Sequence, residues 1–124
     1  MRKAAHLITA ASAVAVLLGS MTVMVPATAN AADAKTIAEG KALAFNRKKG
    51  NCLACHQMDD GSLPGNIGPP LVAMKARFPD KAKLRAQIYD ARKMNPNTVM
   101  PPFGPHEILT NDEIDKIVEY VYTL

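Results

Sequence analysis

Apolar residues recur with a helical period along much of this 124-residue chain, most clearly at its C-terminal end. Ile114, Ile117, Val118 and Val121 fall on one stripe, while Asp112, Asp115, Lys116 and Glu119 face away, the pattern of an amphipathic helix. Thr110 and Glu113 have the spacing of a capping box, and Leu109 and Ile114 occupy staple positions around it. A second helix is predicted from Asp33 to about Lys48, with Ile37, Gly40 and Ala44 at helical intervals and Thr36 and Glu39 at capping-box spacing. A third should run from Asp80 to about Lys93 with Leu84, Ile88 and Ala91 inward, after a shorter helical turn from Leu71 to Arg77. No run of alternating residues reads as a strand, so the expected fold is all-α and loop-rich. Two loops, 57–70 and 94–108, are long for so small a domain, and such loops are functional or packed against something.

Gly40 interrupts the first helix at a cost of about 1 kcal/mol relative to alanine. Close approach by another backbone or a large ring would justify it. Ahead of that helix, Arg2 and Lys3 precede an uncharged apolar run from Leu7 to Val25, and Ala29 and Ala31 form a small-x-small site. This is the pattern of a secretory signal peptide, with cleavage expected after Ala31. An uncleaved membrane anchor is the alternative, because the run is nearly long enough to span a bilayer. With no cysteine near the end of that run, a lipoprotein anchor is not expected.

Residues 32–124 form the remaining domain. Losing Arg2 and Lys3 lowers the basic residues from 15 to 13 against 11 acidic ones, a formal charge of +2. That is too mild and too scattered to indicate nucleic acid. The domain has no Trp, and its six aromatic residues are Phe45, Phe78, Tyr89, Phe103, Tyr120 and Tyr122. A core this small is marginal unaided, so a second source of stability is expected.

"GNCLACHQM" holds the only two cysteines, Cys52 and Cys55, with His56 directly after them. A thioredoxin-like redox pair would use the same spacing but belongs in a βαβ setting, for which no strands are predicted. A structural zinc site needs four ligands, and outside this stretch only His106 remains as a usual donor. Covalent attachment of haem c uses all three residues: two thioether bonds from Cys52 and Cys55, and the His56 imidazole on iron. A macrocycle would also supply the missing core.

The other face of the iron decides what such a protein does. Candidates are Met58, Met74, Met94, Met100 and His106. Met58 is too close to His56 to pass round the ring, and Met74 and Met94 lie at or near helices, where core packing is expected. Met100 sits in "NTVMPPFG", 44 residues after His56, with Pro101 and Pro102 stiffening the chain beside it. His106, in the same loop, is its competitor. The second ring nitrogen of a ligating histidine normally donates to a carbonyl or carboxylate. "GNIGPPL", residues 65–71, offers rigid proline carbonyls for that purpose.

"CLACH", "GPPL" and "MPPF" ahead of an amphipathic last helix resemble the class I cytochromes c across the whole chain beyond the leader. The resemblance implies crossing first and last helices with Gly40 near the crossing and Tyr120 opposite it. It also implies the Pro69 carbonyl as partner of His56, and Met100 on the distal side of iron. More narrowly, "KGNCLACHQM", "GNIGPPL", "NPNTVMPPFG" and "ILTNDEIDKIVEYVYTL" are similar to the SoxX family, the small mono-haem subunits of the SoxAX thiosulfate-oxidising cytochromes. There the larger subunit is understood to couple thiosulfate oxidatively to a carrier-protein cysteine, in an L-cysteine S-thiosulfotransferase reaction, and the small subunit takes up the electrons.

That resemblance implies one covalent haem c and a periplasmic heterodimer with a larger SoxA-like cytochrome subunit. A cytochrome or oxidase would accept the electrons downstream. No catalytic residue, nucleic-acid partner or membrane insertion after leader removal is expected. A free-standing shuttle to an oxidase is the alternative within electron transfer, although shuttles often carry a one-signed face for steering. Outside that class stand a thiol–disulfide oxidoreductase using Cys52 and Cys55, and a ligand-binding or peroxidatic cytochrome with an open sixth site.

Overall fold

In the computed structural model, which describes residues 32–124, the chain runs through α1 (Ala34–Phe45), α2 (Met74–Arg77), α3 (Lys81–Tyr89) and α4 (Asn111–Val121). Short 3-10 turns at Cys52–Ala54 and Ala91–Lys93 complete the regular structure, and no strand occurs among the described residues. The expected leader, residues 1–31, lies outside the described residues.

Helix α4 follows its sequence pattern closely. The Thr110 side chain accepts from the Glu113 amide, and the Glu113 carboxylate accepts in return from the Thr110 amide at 2.9 Å. The Lys49 ammonium and the Thr110 amide hold the Glu113 carboxyl below the usual range. Leu109 and Ile114 are both buried on either side of this cap. Ile114, Ile117, Val118 and Val121 form the buried stripe, joined by Tyr120. Burial of Ile114 and Ile117 contributes about 2 kcal/mol each.

Helices α1 and α3 start where expected, and their C-terminal ends differ from expectation for one reason, which is that short polar side chains capture backbone amides. In α1 the cap is Asp33, whose carboxylate accepts from the Thr36 amide at 2.6 Å, so the helix starts where expected but is capped by Asp33 and not by the Thr36–Glu39 box. It ends at Phe45 rather than near Lys48, because Asn46 turns the chain by accepting the Lys48 amide on its side chain at 2.9 Å. Helix α3 stops at Tyr89 rather than Lys93. Asp90 breaks it and caps the following turn through the Arg92 amide. Leu84, Ile88 and Ala91 are buried as expected. The Leu71–Arg77 turn is helical only over its last four residues, since Ala73 takes a left-handed conformation at φ 52°.

Helices α1 and α4 pack at Gly40, where a side chain would collide with the Lys116 carbonyl and press on the Tyr120 Cβ at 3.0 Å. The glycine in mid-helix is therefore required by close approach of the two backbones. Lys116 also bonds Glu39 at 3.0 Å across the same crossing. Helix α3 leans on α4 through Lys81 and Glu119, 2.8 Å apart. The core lies between these helices and includes Met58 and Phe103 from the two long loops.

Candidate haem-attachment site

The "CLACH" segment is one tight turn. Asn51 enters it with φ 46°, and the Ala54, Cys55 and His56 amides donate to the carbonyls of Asn51, Cys52 and Cys52 at 3.1, 3.1 and 2.9 Å. Two thiols and an imidazole are thereby fixed on a few residues of backbone. Both cysteines are free and half-buried. Burial pushes the Cys52 thiol up to about 11, away from the depressed value of a reactive thiolate.

His56 Nδ1 lies 2.7 Å from the Pro69 carbonyl oxygen. That carbonyl can only accept, so Nδ1 carries the proton and Nε2 is left with the free lone pair. The acceptor segment is stitched to the cysteine turn by backbone bonds from Gly65 to Leu53 (2.9 Å), Gly68 to Cys55 (2.8 Å) and Leu71 to Gln57 (2.8 Å). Gly68 packs directly on the imidazole, and any side chain there would strike the His56 ring. The turn-rich look of "GNIGPPL" gave no hint of that second role.

Met100 stands in the other loop, half-buried against the core. Its amide donates to Thr98 Oγ1 at 3.1 Å, and its sulfur has the Gln87 side-chain amide 4.0 Å away. His106 is exposed, with its amide bonded to the Pro102 carbonyl at 3.1 Å. Met58 and Met74 are core residues, only 1% and 2% exposed. Met94 is not: it is 54% exposed, because the break at Asp90 carries it out of the helix that was expected to bury it. Among the described residues no group of three or more His, Cys, Asp or Glu side chains is placed to hold a metal ion.

This donor set fits a covalent haem. Two neighbouring thiols match the two vinyl groups, and an oriented imidazole and a thioether match the iron. The large exposed apolar side chains Leu63, Ile67, Val72, Met94 and Val99 all lie in or beside the two long loops, with Val99 76% exposed. An apolar macrocycle between the loops would give such side chains a partner.

Comparison with known proteins gives the class. The family described as cytochrome C oxidase, cbb3-type, subunit III matches residues 35–121. The chain belongs to this cytochrome c family, and its fold is that of a class I cytochrome c. Covalently bound haem c comes with that membership. Among solved structures, a chain in "Crystal structure of SoxXA from P. pantotrophus" is similar at 28% identity and a TM-score of 0.63, covering 69% of this chain and 79% of that one. A curated relative, "Uncharacterized lipoprotein" from Aquifex aeolicus (strain VF5), is 40% identical over 76 residues, which are 60% of this chain. The match spans only 37% of that relative's length. Among the described residues no helix is long and apolar enough to cross a membrane.

Proposed function

We propose that this protein is the mono-haem, electron-accepting subunit of a periplasmic thiosulfate-oxidising complex, paired with a larger SoxA-like cytochrome. The observation that carries this reading is the likeness to a SoxXA chain over most of both chains. Cleavage after Ala31 would leave residues 32–124 as the exported domain. The Aquifex relative is described as a lipoprotein, whereas both cysteines of this chain lie in the "CLACH" turn, where this reading has them hold the haem.

Haem c, held through Cys52 and Cys55, supplies reversible uptake of one electron. The chain's residues hold it still. Pro69 holds the His56 ring through Nδ1, which leaves Nε2 as the nitrogen that would bind the iron, and Gly68 gives that ring room. Pro101 and Pro102 stiffen the backbone beside Met100, whose thioether would serve with the His56 imidazole as a ligand to the iron. No thiol and no coordination site is then free for thiosulfate, and the chain passes electrons without transforming substrate.

Co-expression with the larger subunit tests the proposal. Co-purification, and reduction of this haem on addition of thiosulfate and a cysteine-bearing carrier protein, are expected. A lone monomer whose haem stays oxidised under those conditions would sink it. Met100→Ala should keep the covalent haem but lose the sulfur-to-iron charge-transfer band, and an unchanged spectrum would move the assignment to His106. A second reading follows from the description of the matching family: delivery of electrons directly to an oxidase. Oxidation of the reduced protein by oxidase-bearing membranes, without any SoxA-like partner, would favour it.

A further inference from the structure

The carbonyl next along the chain from the Pro69 carbonyl that meets His56 is held by a residue outside the motif. Arg77, at the end of α2, donates through Nη1 to the Pro70 carbonyl at 2.7 Å. Among the described residues, His56 and Arg77 are the side chains that hydrogen-bond the 65–71 stretch. Neither Pro69 nor Pro70 has an N–H, so this dipeptide is fixed only through its carbonyls and through the flanking amides of Gly68 and Leu71.

The coupling between the two carbonyls is short. The Pro69–Pro70 and Pro70–Leu71 peptide planes meet at the Pro70 Cα. The pyrrolidine ring fixes φ there, leaving one soft torsion between the planes. Arg77 and the Leu71–Gln57 bond hold the second plane, which aims the first at His56. The arginine is well anchored for this. Met74, three residues earlier, is in the core, its amide donates to the Leu124 carbonyl at 2.9 Å, and its sulfur lies 3.4 Å from Nη1.

We propose that Arg77 is a positioning residue for His56, acting through the Pro69–Pro70 backbone to keep the acceptor aligned with Nδ1–H. This rests on His56 being an iron ligand. The test is nuclear magnetic resonance on the reduced holoprotein labelled at histidine, comparing Arg77→Leu with Lys75→Leu. Both variants remove one positive charge from α2, but Lys75 points to the Tyr122 ring instead. Arg77→Leu should speed exchange of the His56 Nδ1 proton by about ten-fold, the size expected for losing one charge-assisted hydrogen bond. Lys75→Leu should leave the rate near that of the unaltered protein, and Arg77→Lys, which keeps a donor, should fall between. Unchanged exchange in Arg77→Leu, with His56 ring protons still shifted by the haem, would overturn the role of Arg77 and leave the ligand assignment standing. His56 ring protons at ordinary positions in the unaltered protein would overturn both.

Discussion

The loop that carries the partner of His56 and the loop that carries Met100 are built on different principles. The 65–71 stretch beside His56 is tied to residues 53–57 by three backbone hydrogen bonds, and its consecutive proline carbonyls accept from His56 and from Arg77 of α2. Residues 99–104 around Met100 have one backbone bond to another element, from the Gly104 amide to the Tyr89 carbonyl at 3.0 Å. The rest of that loop is held locally, by Thr98 on the Met100 amide and by the Pro102 and Phe103 carbonyls closing the turns after them. Backbone ties placed across elements resist opening together, whereas local turns can open one at a time. The His56 side is therefore preorganised, and the Met100 side is the part expected to yield first.

The largest effect should come from breaking the stiff side. Gly68→Val places a branched side chain on the imidazole with the Cys55 carbonyl bonded just behind it, so neither partner can retreat. Overpacking of this kind costs about 1–3 kcal/mol, and misplacing the ring should add to it. Little mature holoprotein is expected, measured as covalent haem per polypeptide. A normal yield with an unshifted spectrum would show that His56 tolerates movement there.

Gly104→Ala attacks the other side at its one cross-tie. An added methyl group would collide with the Tyr89 ring, and Tyr89 is packed against the core. The expected loss is about 1–2 kcal/mol in denaturant unfolding, smaller than at Gly68 because the loop can lift away. Haem yield should stay normal while the sulfur–iron band weakens. Equal losses of yield in both glycine variants would erase the difference between the loops.

Acid should separate the two sides as well. Asp90, buried where α3 gives way to the Met100 loop, has its carboxyl held below the usual range by the Arg92 guanidinium. A carboxyl depressed on folding contributes stability that is complete above its unfolded value, about pH 3.9, and lost as pH falls through the lower folded value. The 65–71 stretch has no titratable side chain. Hydrogen exchange followed down through that range should show amides of 91–104 opening before those of 65–71.

What could be read from the sequence was local. The last helix carries its cap, staple and stripe within thirteen residues, and the structure adds only Tyr120 to the stripe. The cysteine turn is equally self-contained. The ends of α1 and α3 are not legible in the sequence because the side chains of Asn46 and Asp90 compete for backbone amides and win. Met94 went wrong with the second of these. Gly68, Arg77 and Gln87 were invisible for another reason: each matters through a contact with a residue 7 to 13 positions away. A glycine in a turn-rich stretch looks like a bend, and nothing in its own neighbourhood reveals that it lies on an imidazole.

The smallest effect should come from Gln87. Its side-chain amide reaches the Met100 sulfur at 4.0 Å, a long and weak donor contact. A donor to that sulfur draws electron density from it, so with Met100 on the iron as proposed, losing the contact would make the thioether a better partner for oxidised iron and lower the potential. Gln87→Leu keeps the half-buried position filled, and the change should amount to no more than about 1 kcal/mol. Voltammetry would show a small negative shift with the haem yield and the sulfur–iron band intact. A large shift, or loss of the band, would mean that Gln87 fixes the sulfur's place as Arg77 is proposed to fix the carbonyl's, and the two loops would then be built alike.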